Sequence, residues 1–157
     1  MNGISGQLML FSAGVWRCAV PIGEVAEVIE LPTLYPIPGA AAVLRGAINS
    51  HGRLLPLVDL SLLCGMESGS AAGGKVIVFD NFIADMALLV DDMHEVRSSG
   101  DILEEDEGEV PCLTRQFMFA DGVAHLVTCQ GVLAAVERIL AESRSLVATC
   151  DGVATEA

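Results

Sequence analysis

The feature that most constrains the fold of this chain is a pattern that occurs twice in it. Residues 19–28 align with residues 87–96, and an alanine, an acidic residue, a glutamate and a valine recur in step. Residues 52–57 align in the same way with residues 122–127, and each of these copies is followed by a predicted helix. A unit of this length that is present only twice indicates a duplicated small domain rather than a solenoid.

Short apolar runs separated by turn residues indicate that each copy consists of β-strands. The segment from Asn49 to Gly52 and the pair Asp121–Gly122 are typical turn sequences. Because closing such strands into barrels removes exposed sheet edges, we expect a mainly β fold of two similar barrels packed together. The strand-like runs cover residues 8–11, 16–20, 25–31, 54–58, 75–79, 86–90, 93–97, 117–120 and 123–127.

Two helices interrupt the strand pattern. Asp59 is placed to cap a short helix over residues 60–64, which Gly65 ends. A C-terminal helix is predicted over residues 131–142, because its apolar residues recur at helical spacing. These apolar residues are Val132, Val136, Ile139 and Leu140.

The chain has 157 residues, which suits a single domain, predicted here over residues 7–142. We expect its two barrels roughly at residues 7–64 and 75–142, and the pattern leaves open whether they exchange terminal strands. Residues 65–74 are small and indicate a linker or an exposed loop. Residues 143–157 predict a flexible tail.

The charge of the chain limits its partners. Its 21 acidic side chains exceed its 8 basic ones and give a net charge of −13. This balance repels phosphate backbones and anionic lipids, so it disfavours nucleic acid and membrane surfaces and favours basic protein surfaces. Six acids lie between Asp101 and Glu109, a segment interpreted as a solvated loop, with electrostatic steering towards a basic partner as the functional alternative.

The apolar runs also bear on location. None approaches the roughly 20 residues that a membrane-spanning helix needs. Residues 1–7 carry no basic side chain and lead into no long apolar stretch, which argues against a secretory signal. We therefore expect a cytoplasmic protein.

Residue types that carry chemistry are scattered. The only lysine is Lys75, and the sequence has neither a glycine-rich phosphate loop nor a Gly-x-Ser-x-Gly motif. No Cys-x-x-Cys pair occurs, and the histidines lack metal-binding spacing. We expect no metal, no cofactor and no enzymatic activity. The residues considered are Cys18, Cys64, Cys112, Cys129, Cys150, His51, His94 and His125.

Asp59 and Asp91 each follow an apolar strand, which leaves two interpretations open. They can be a pair of catalytic carboxylates, or each can cap the backbone turn that follows it. We favour capping. Glu27 and Glu95 occupy equivalent positions in the two copies, and such duplication indicates a structural role rather than a catalytic one.

The most specific signal is a resemblance to the CheW family. Residues 20–29, 37–39, 44–60 and 87–96 resemble that family's motifs in order and spacing. The resemblance implies two five-stranded, SH3-like barrels around a shared hydrophobic interface. It also implies an adaptor that joins the cytoplasmic tip of a methyl-accepting chemoreceptor to the regulatory domain of a CheA-type histidine kinase, and that meets the membrane only through receptor arrays.

The resemblance also implies a set of receptor-binding residues in a groove between the barrels, whereas it leaves the kinase-binding residues unknown. Val25 and Met93 occupy equivalent positions in the internal repeat, as the two walls of such a groove should. Some candidates also have a purely structural interpretation: the core fits Ile22 and Val25, and turns fit Gly46 and Gly52. The candidates are Ile22, Val25, Glu27, Gly46, Asn49, His51, Gly52 and Met93.

Three departures from the family pattern suggest a divergent paralogue. His51 replaces the usual arginine, so a permanent charge becomes one that titrates near neutrality. Residues 127–130 replace a segment that contains an aspartate, so the second helix is expected to lose its acidic cap. A usual glycine near Ala87 is absent. The alternative function is therefore a CheW-like module of another chemosensory-type pathway, such as surface motility, with changed receptor specificity.

Overall fold

A computed structural model describes residues 6–65, 74–110 and 113–156, and it contains two β-sheets and two α-helices. Single 3-10 turns at Ile22–Glu24 and Ser99–Asp101 precede β3 and β9. The elements in chain order are β1 (Gln7–Ala13), β2 (Trp16–Pro21), β3 (Val25–Glu30), β4 (Leu44–Ser50), β5 (Arg53–Asp59), α1 (Leu60–Leu63), β6 (Lys75–Phe79), β7 (Ala87–Val90), β8 (Asp92–Ser98), β9 (Glu104–Val110), β10 (Leu113–Phe119), β11 (Gly122–Leu126) and α2 (Cys129–Glu156).

The first sheet has six strands in the order β8-β1-β2-β11-β10-β9, and the second has five in the order β3-β6-β7-β5-β4. The predicted mainly β fold with a C-terminal helix is confirmed.

The first sheet exceeds the expected five strands because the acidic segment forms β9. The acidic residues of β9 pair with residues of β10 in an antiparallel ladder, and Glu105 forms an ion pair with Arg115. The prediction of a loop there was wrong, because pairing with β10 supplies the order that the acidic sequence alone does not.

The two sheets mix strands from the predicted halves 7–64 and 75–142. The first sheet combines β1 and β2 with four strands from the second half, whereas the second sheet combines β3, β4 and β5 with β6 and β7. Residues 19–28 cross from the first sheet into the second, and residues 87–96 cross in the opposite direction. Each copy of the repeat thus supplies one edge strand, β3 or β8, to the sheet it enters.

The pairing of the strands follows the same pattern in both sheets. Each sheet contains one parallel pair, β2 with β11 in the first and β7 with β5 in the second. The other neighbouring strands of the two sheets are antiparallel.

The first sheet curls, because a short connection joins its two edges. β8 and β9 lie at opposite edges, yet only residues 99–103 separate them in the chain. Even fully extended, this connection spans roughly 20 Å, whereas six flat strands would hold the edges about 24 Å apart. The curled sheet encloses its own buried cluster, which consists of Leu8, Leu10, Ala19, Phe117, Phe119, Ala124 and Leu126.

An ion-pair cluster ties the two ends of the curl together. Arg97 of β8 binds Asp121 in the β10–β11 turn, with N–O distances of 2.6 and 2.9 Å, and stacks over the ring of Phe119. Arg17 of β2 binds the same carboxylate at 3.2 Å. The hydrogen bond from Arg97 lowers the pKa of Asp121 to about 2. The carboxylate therefore stays charged over the range in which most aspartates protonate.

The second sheet has a cluster of its own, and a larger shared core fills the space between the sheets. In β6, Val76 and Val78 face the cluster of their own sheet, while Ile77 and Phe79 face the shared core. The second sheet's cluster comprises Ile48, Leu55, Leu57, Val76, Val78, Ala87 and Leu89. The shared core comprises Phe11, Ala13, Cys18, Val20, Val43, Val58, Leu60, Leu63, Cys64, Ile77, Phe79, Met86, Leu88, Val90, Val127, Cys129, Val132, Ala135 and Val136.

The helices lie against the shared core. Gly65 ends α1 with a φ of 82°, as predicted, and the predicted linker that follows falls largely on residues 66–73, outside the described residues. α2 is longer than predicted and runs to Glu156, so the expected flexible tail 143–157 is helical through residue 156. Val132 and Val136 anchor the first turns of α2 on the core.

Gly46 of β4 is required by close backbone packing. Its φ is 141°, and a Cβ atom there would lie 2.7 Å from the carbonyl oxygen of Tyr35. That oxygen accepts a hydrogen bond from the Ala47 amide at 2.7 Å, so it cannot move without breaking the bridge between Tyr35 and Ala47.

We predict that Gly46→Ala lowers the free energy of unfolding by about 2–3 kcal/mol, because it adds both a clash and backbone strain. The control Gly23→Ala has no heavy atom within 4 Å of the added Cβ and should cost less than about 0.5 kcal/mol. Urea unfolding followed by tryptophan fluorescence measures both. Equal stability of the two variants would contradict the packing role.

Candidate functional site

An apolar groove opens at the seam between the two sheets. Val28 of β3 forms one wall, Met93 and Val96 of β8 form the other, and Met9 and Leu10 of β1 also line it. The groove has a volume of about 270 Å³, and the charged or polar side chains along it are His94 and Glu95. We call this the seam groove.

A β-bulge determines which side chains of β3 face the seam. The register with β6 shifts between Val25 and Glu27, so Val25 pairs with Phe79 and Val28 pairs with Ile77. Val25 and Val28 therefore pack on the same side, against the shared core. Val28, which the sequence reasoning missed, lines the seam groove, whereas Val25 does not. The repeat carried the signal, since it aligns Val28 with Val96.

The β4–β5 hairpin presents the polar part of the site. Its two-residue loop consists of His51 and Gly52, whose φ values of 52° and 85° are both positive, as a type I′ turn requires. This differs from the predicted turn, which began at Asn49 and ended at Gly52. Asn49 instead accepts a hydrogen bond from the Gly52 amide at 2.9 Å and holds the loop.

His51 and Glu27 form the contact between this hairpin and the edge strand β3. The Nε2 atom of His51 lies 3.0 and 3.1 Å from the two carboxylate oxygens of Glu27, and the Ser50 hydroxyl donates to one of them at 3.3 Å. These residues line a cavity of about 300 Å³ at one end of the second sheet. An ion pair between Arg53 and Asp85 lies on the same cavity wall. The histidine thus occupies a place where an arginine would also meet a carboxylate.

The structure divides the predicted receptor-binding residues into three groups. Glu27, Asn49, His51 and Gly52 lie together at the hairpin, and Met93 lies in the seam groove. Ile22 is half-buried in a 3-10 turn, while Val25 packs on the shared core and Gly46 is buried beneath Tyr35. Glu27 and Val28 are neighbours in β3, so this strand joins the hairpin group to the groove.

The two candidate carboxylates hold backbone rather than forming a pair. Asp59 caps α1, because it accepts a hydrogen bond from the Leu62 amide at 3.2 Å. It also binds Arg45 at 3.1 Å. The prediction that Asp91 caps the turn following it differs from what the structure shows. Its carboxylate accepts from the Gly14 amide at 2.7 Å and so ties the β7–β8 junction to the β1–β2 turn.

The expectation that the second helix lacks an acidic cap was wrong. The Thr128 hydroxyl accepts a hydrogen bond from the Gly131 amide at 3.0 Å, in the way that Asp59 caps α1. An acidic side chain from a distant part of the chain also caps α2, since Glu24 accepts a hydrogen bond from the Cys129 amide at 2.7 Å. Burial raises the pKa of the Cys129 thiol to about 11, and the charge of Glu24 adds to this effect.

Metal-binding clusters and membrane-spanning helices are both absent from the described residues. Among them, no three His, Cys, Asp or Glu side chains are grouped so as to hold a metal ion. No helix in the described ranges combines the length and apolar character that spanning a membrane demands.

Comparison with known proteins relates this arrangement to one family. The model of the CheW-like domain matches residues 7–137. The chemotaxis protein CheW of Rhizobium meliloti is 30% identical over 120 residues, which cover 74% of this chain and 76% of the relative. The probable chemotaxis protein CheW of Rhizobium etli is 26% identical over 147 residues, which cover 92% and 94%.

Two further similarities are partial or structural. Protein PilI of Pseudomonas aeruginosa is 35% identical over 74 residues, which cover 46% of this chain but only 42% of PilI. The crystal structure of the scaffolding protein TtCheW from Thermoanaerobacter tengcongensis matches with a TM-score of 0.67 and 21% identity, over 78% of this chain and 88% of that one. The similarity to TtCheW concerns the fold alone.

We predict that Glu24→Gln lowers the free energy of unfolding by about 1 kcal/mol and Glu24→Ala by more, because glutamine keeps an acceptor for the Cys129 amide while alanine removes it. Denaturant unfolding measures both. Glu104→Gln, at an exposed position of β9, serves as the control and should leave stability unchanged. If the alanine variant is as stable as this control, Glu24 does not cap α2.

Proposed function

This chain belongs to the CheW-like domain family, and from that premise we propose that it is a non-catalytic adaptor that couples chemoreceptors to a CheA-type histidine kinase. The observation that carries the proposal is the seam groove, an apolar channel walled by strands from both sheets. Such an adaptor acts by assembly, since a scaffold that binds one kinase state better than another shifts the population of states.

The receptor end of the proposed coupling is the seam groove. An amphipathic helix binds such a groove through apolar side chains on one face, and polar residues at the rim set its register. Val28, Met93 and Val96 supply the apolar walls, while His94 and Glu95 lie on the rim. The cytoplasmic tip of a methyl-accepting chemoreceptor would supply the helix.

Glu27 and His51 add a polar contact beside the groove. The side chain of His51 is 79% exposed and that of Glu27 is 34% exposed, so both remain available to a partner while they bind each other. A partner that brings a charged group must compete with this pair or extend it. The pair therefore favours selectivity among receptors more than affinity.

The kinase end of the proposal involves the regulatory domain of the kinase, which resembles this fold, so barrel-to-barrel contact is expected. No residues are assigned to that contact. The adaptor would be cytoplasmic and would meet the membrane only through receptor arrays.

A specific observation favours a second candidate function, a divergent module of another chemosensory-type pathway with changed receptor specificity. His51 replaces the arginine usual in the family, and a protein named PilI stands beside proteins named CheW among the matches. The third possibility, a small enzyme, finds no support, since the carboxylates of Asp59 and Asp91 are engaged with backbone amides.

We predict that Val96→Asp weakens binding of a receptor-tip fragment by about tenfold or more, because it places a charge in the apolar seam groove. Val96 is 48% exposed, so the variant should fold. Isothermal titration with a receptor fragment from the same genome measures the affinity. Glu27→Lys should also weaken binding, through loss of the Glu27–His51 pair.

Leu103→Asp is the matched control. Leu103 is also exposed, at 65%, but lies outside the seam groove. It should bind the receptor fragment as the unaltered chain does, and all three variants should still bind the kinase regulatory domain. Receptor affinity that is the same in Val96→Asp and in the control would contradict the groove as the receptor site.

We predict that His51→Arg raises the affinity for a CheA-coupled chemoreceptor several-fold, because the planar guanidinium of arginine can bind Glu27 with two parallel hydrogen bonds. Isothermal titration with the receptor fragment measures the change. No gain in affinity would favour the alternative function, with a changed receptor.

A further inference from the structure

One phenylalanine of this chain stands apart from the others. Four of the five are fully buried, in the shared core or in the cluster of the first sheet, whereas Phe82 is 93% exposed. Its neighbour Ile83 is 47% exposed. Large exposed aromatic side chains of this kind are typical anchors of protein interfaces, because burying them removes much apolar surface from water.

The turn that carries Phe82 is held by hydrogen bonds. The Asp80 carboxylate accepts from the Phe82 amide at 2.9 Å, and the Asp80 carbonyl accepts from the amides of Ile83 and Ala84 at 2.9 and 3.1 Å. The Asp80 amide in turn donates to the carbonyl of Glu24 at 2.9 Å. Since the turn is already ordered, a partner that covers Phe82 loses little affinity to ordering it.

The same turn borders a second apolar groove, of about 460 Å³, between α2 and the second sheet. Ala84 and Met86 form the side next to the turn, and Leu133, Val136 and Leu140 form the side made by α2. Leu133 is 37% exposed. We call this the α2 groove. It shares no residue with the seam groove.

The charges of the α2 groove indicate the chemistry of its occupant. Of the described residues that line it, those with charged side chains are Asp85 and Glu137, and both are acidic. Arg53 binds Asp85 from the neighbouring cavity. A second copy of the chain, with a net charge of −13, would bring repulsion to this rim, whereas a basic helix would bring attraction.

We propose that the α2 groove, together with Phe82 and Ile83 of the adjoining turn, is a docking site for an amphipathic helix of another protein whose apolar face is flanked by lysine or arginine. The apolar side chains of that helix fill the space between Met86 and Leu133, and its cations lie against Glu137, since Asp85 already forms an ion pair with Arg53. This site is separate from the seam groove, so it does not depend on receptor coupling.

A designed peptide tests the site in the full chain. The probe is a fluorescein-labelled helical peptide of about 18 residues made of leucine and lysine at amphipathic spacing, and its control is the same pattern with glutamate in place of lysine. Fluorescence anisotropy should show that the lysine peptide binds and that the glutamate peptide does not. Phe82→Ser and Leu133→Ser should each weaken binding about tenfold. Leu103→Ser, which removes an exposed leucine elsewhere, should not.

A charge-reversal pair separates docking from general attraction to an acidic protein. Glu137→Lys and Glu142→Lys change the net charge equally and lie on the same helix, but only Glu137 lines the groove. Glu137→Lys should weaken the lysine peptide at least several-fold more than Glu142→Lys does. Equal effects of the two variants, or equal binding by Phe82→Ser and Leu103→Ser, would overturn the proposal.

The receptor-tip fragment serves as a second probe on the same variants. Its affinity should be unchanged in Phe82→Ser and Leu133→Ser, provided that their thermal midpoints match that of the unaltered chain. If both variants lose the receptor fragment while they keep the peptide, Phe82 belongs to the receptor site and the separate docking site is wrong. Loss of receptor binding in Val96→Asp leaves this test unaffected.

Discussion

The central strands of this molecule bury both of their faces, and the remainder of the structure depends on that constraint. Alternate residues of β6 and β7 face the cluster of their own sheet and the core shared with the other sheet. Because the shared core is apolar from both sides, the two sheets cannot separate without exposing it to water. The chain satisfies the constraint by crossing between the sheets at each copy of the repeat, which leaves β3 and β8 as facing edge strands.

Those edge strands create the surfaces that a partner can use. A helix that bound in the seam groove as proposed would contact Val28 in one sheet and Met93 in the other, so its binding free energy would depend on how the sheets are placed relative to each other. The bulge in β3 puts Val28 in that position and directs Glu27 towards His51. One irregularity in one strand thus gives the site both its apolar wall and its polar contact.

Polar contacts over long sequence separation hold the junctions around this core. Glu24 caps α2, Asp91 holds the β1–β2 turn, and Asp121 binds arginines from β2 and β8. Each of them fixes a backbone segment or a cation to an element that is distant in the chain. A scaffold gains from such contacts, because a rigid surface loses less entropy when it binds.

The sequence by itself determined most of the strands, the duplication and the helix signals of Asp59 and Gly65, because these depend on local periodicity and on the conformational preferences of single residues. Only the tertiary structure decided that the acidic segment is a strand, that Glu24 adds an acidic cap to α2, and that Val28 rather than Val25 lines the groove. Periodicity records which face of a strand is buried, but it does not record which strand or side chain covers that face. Those choices depend on pairings between residues far apart in the chain.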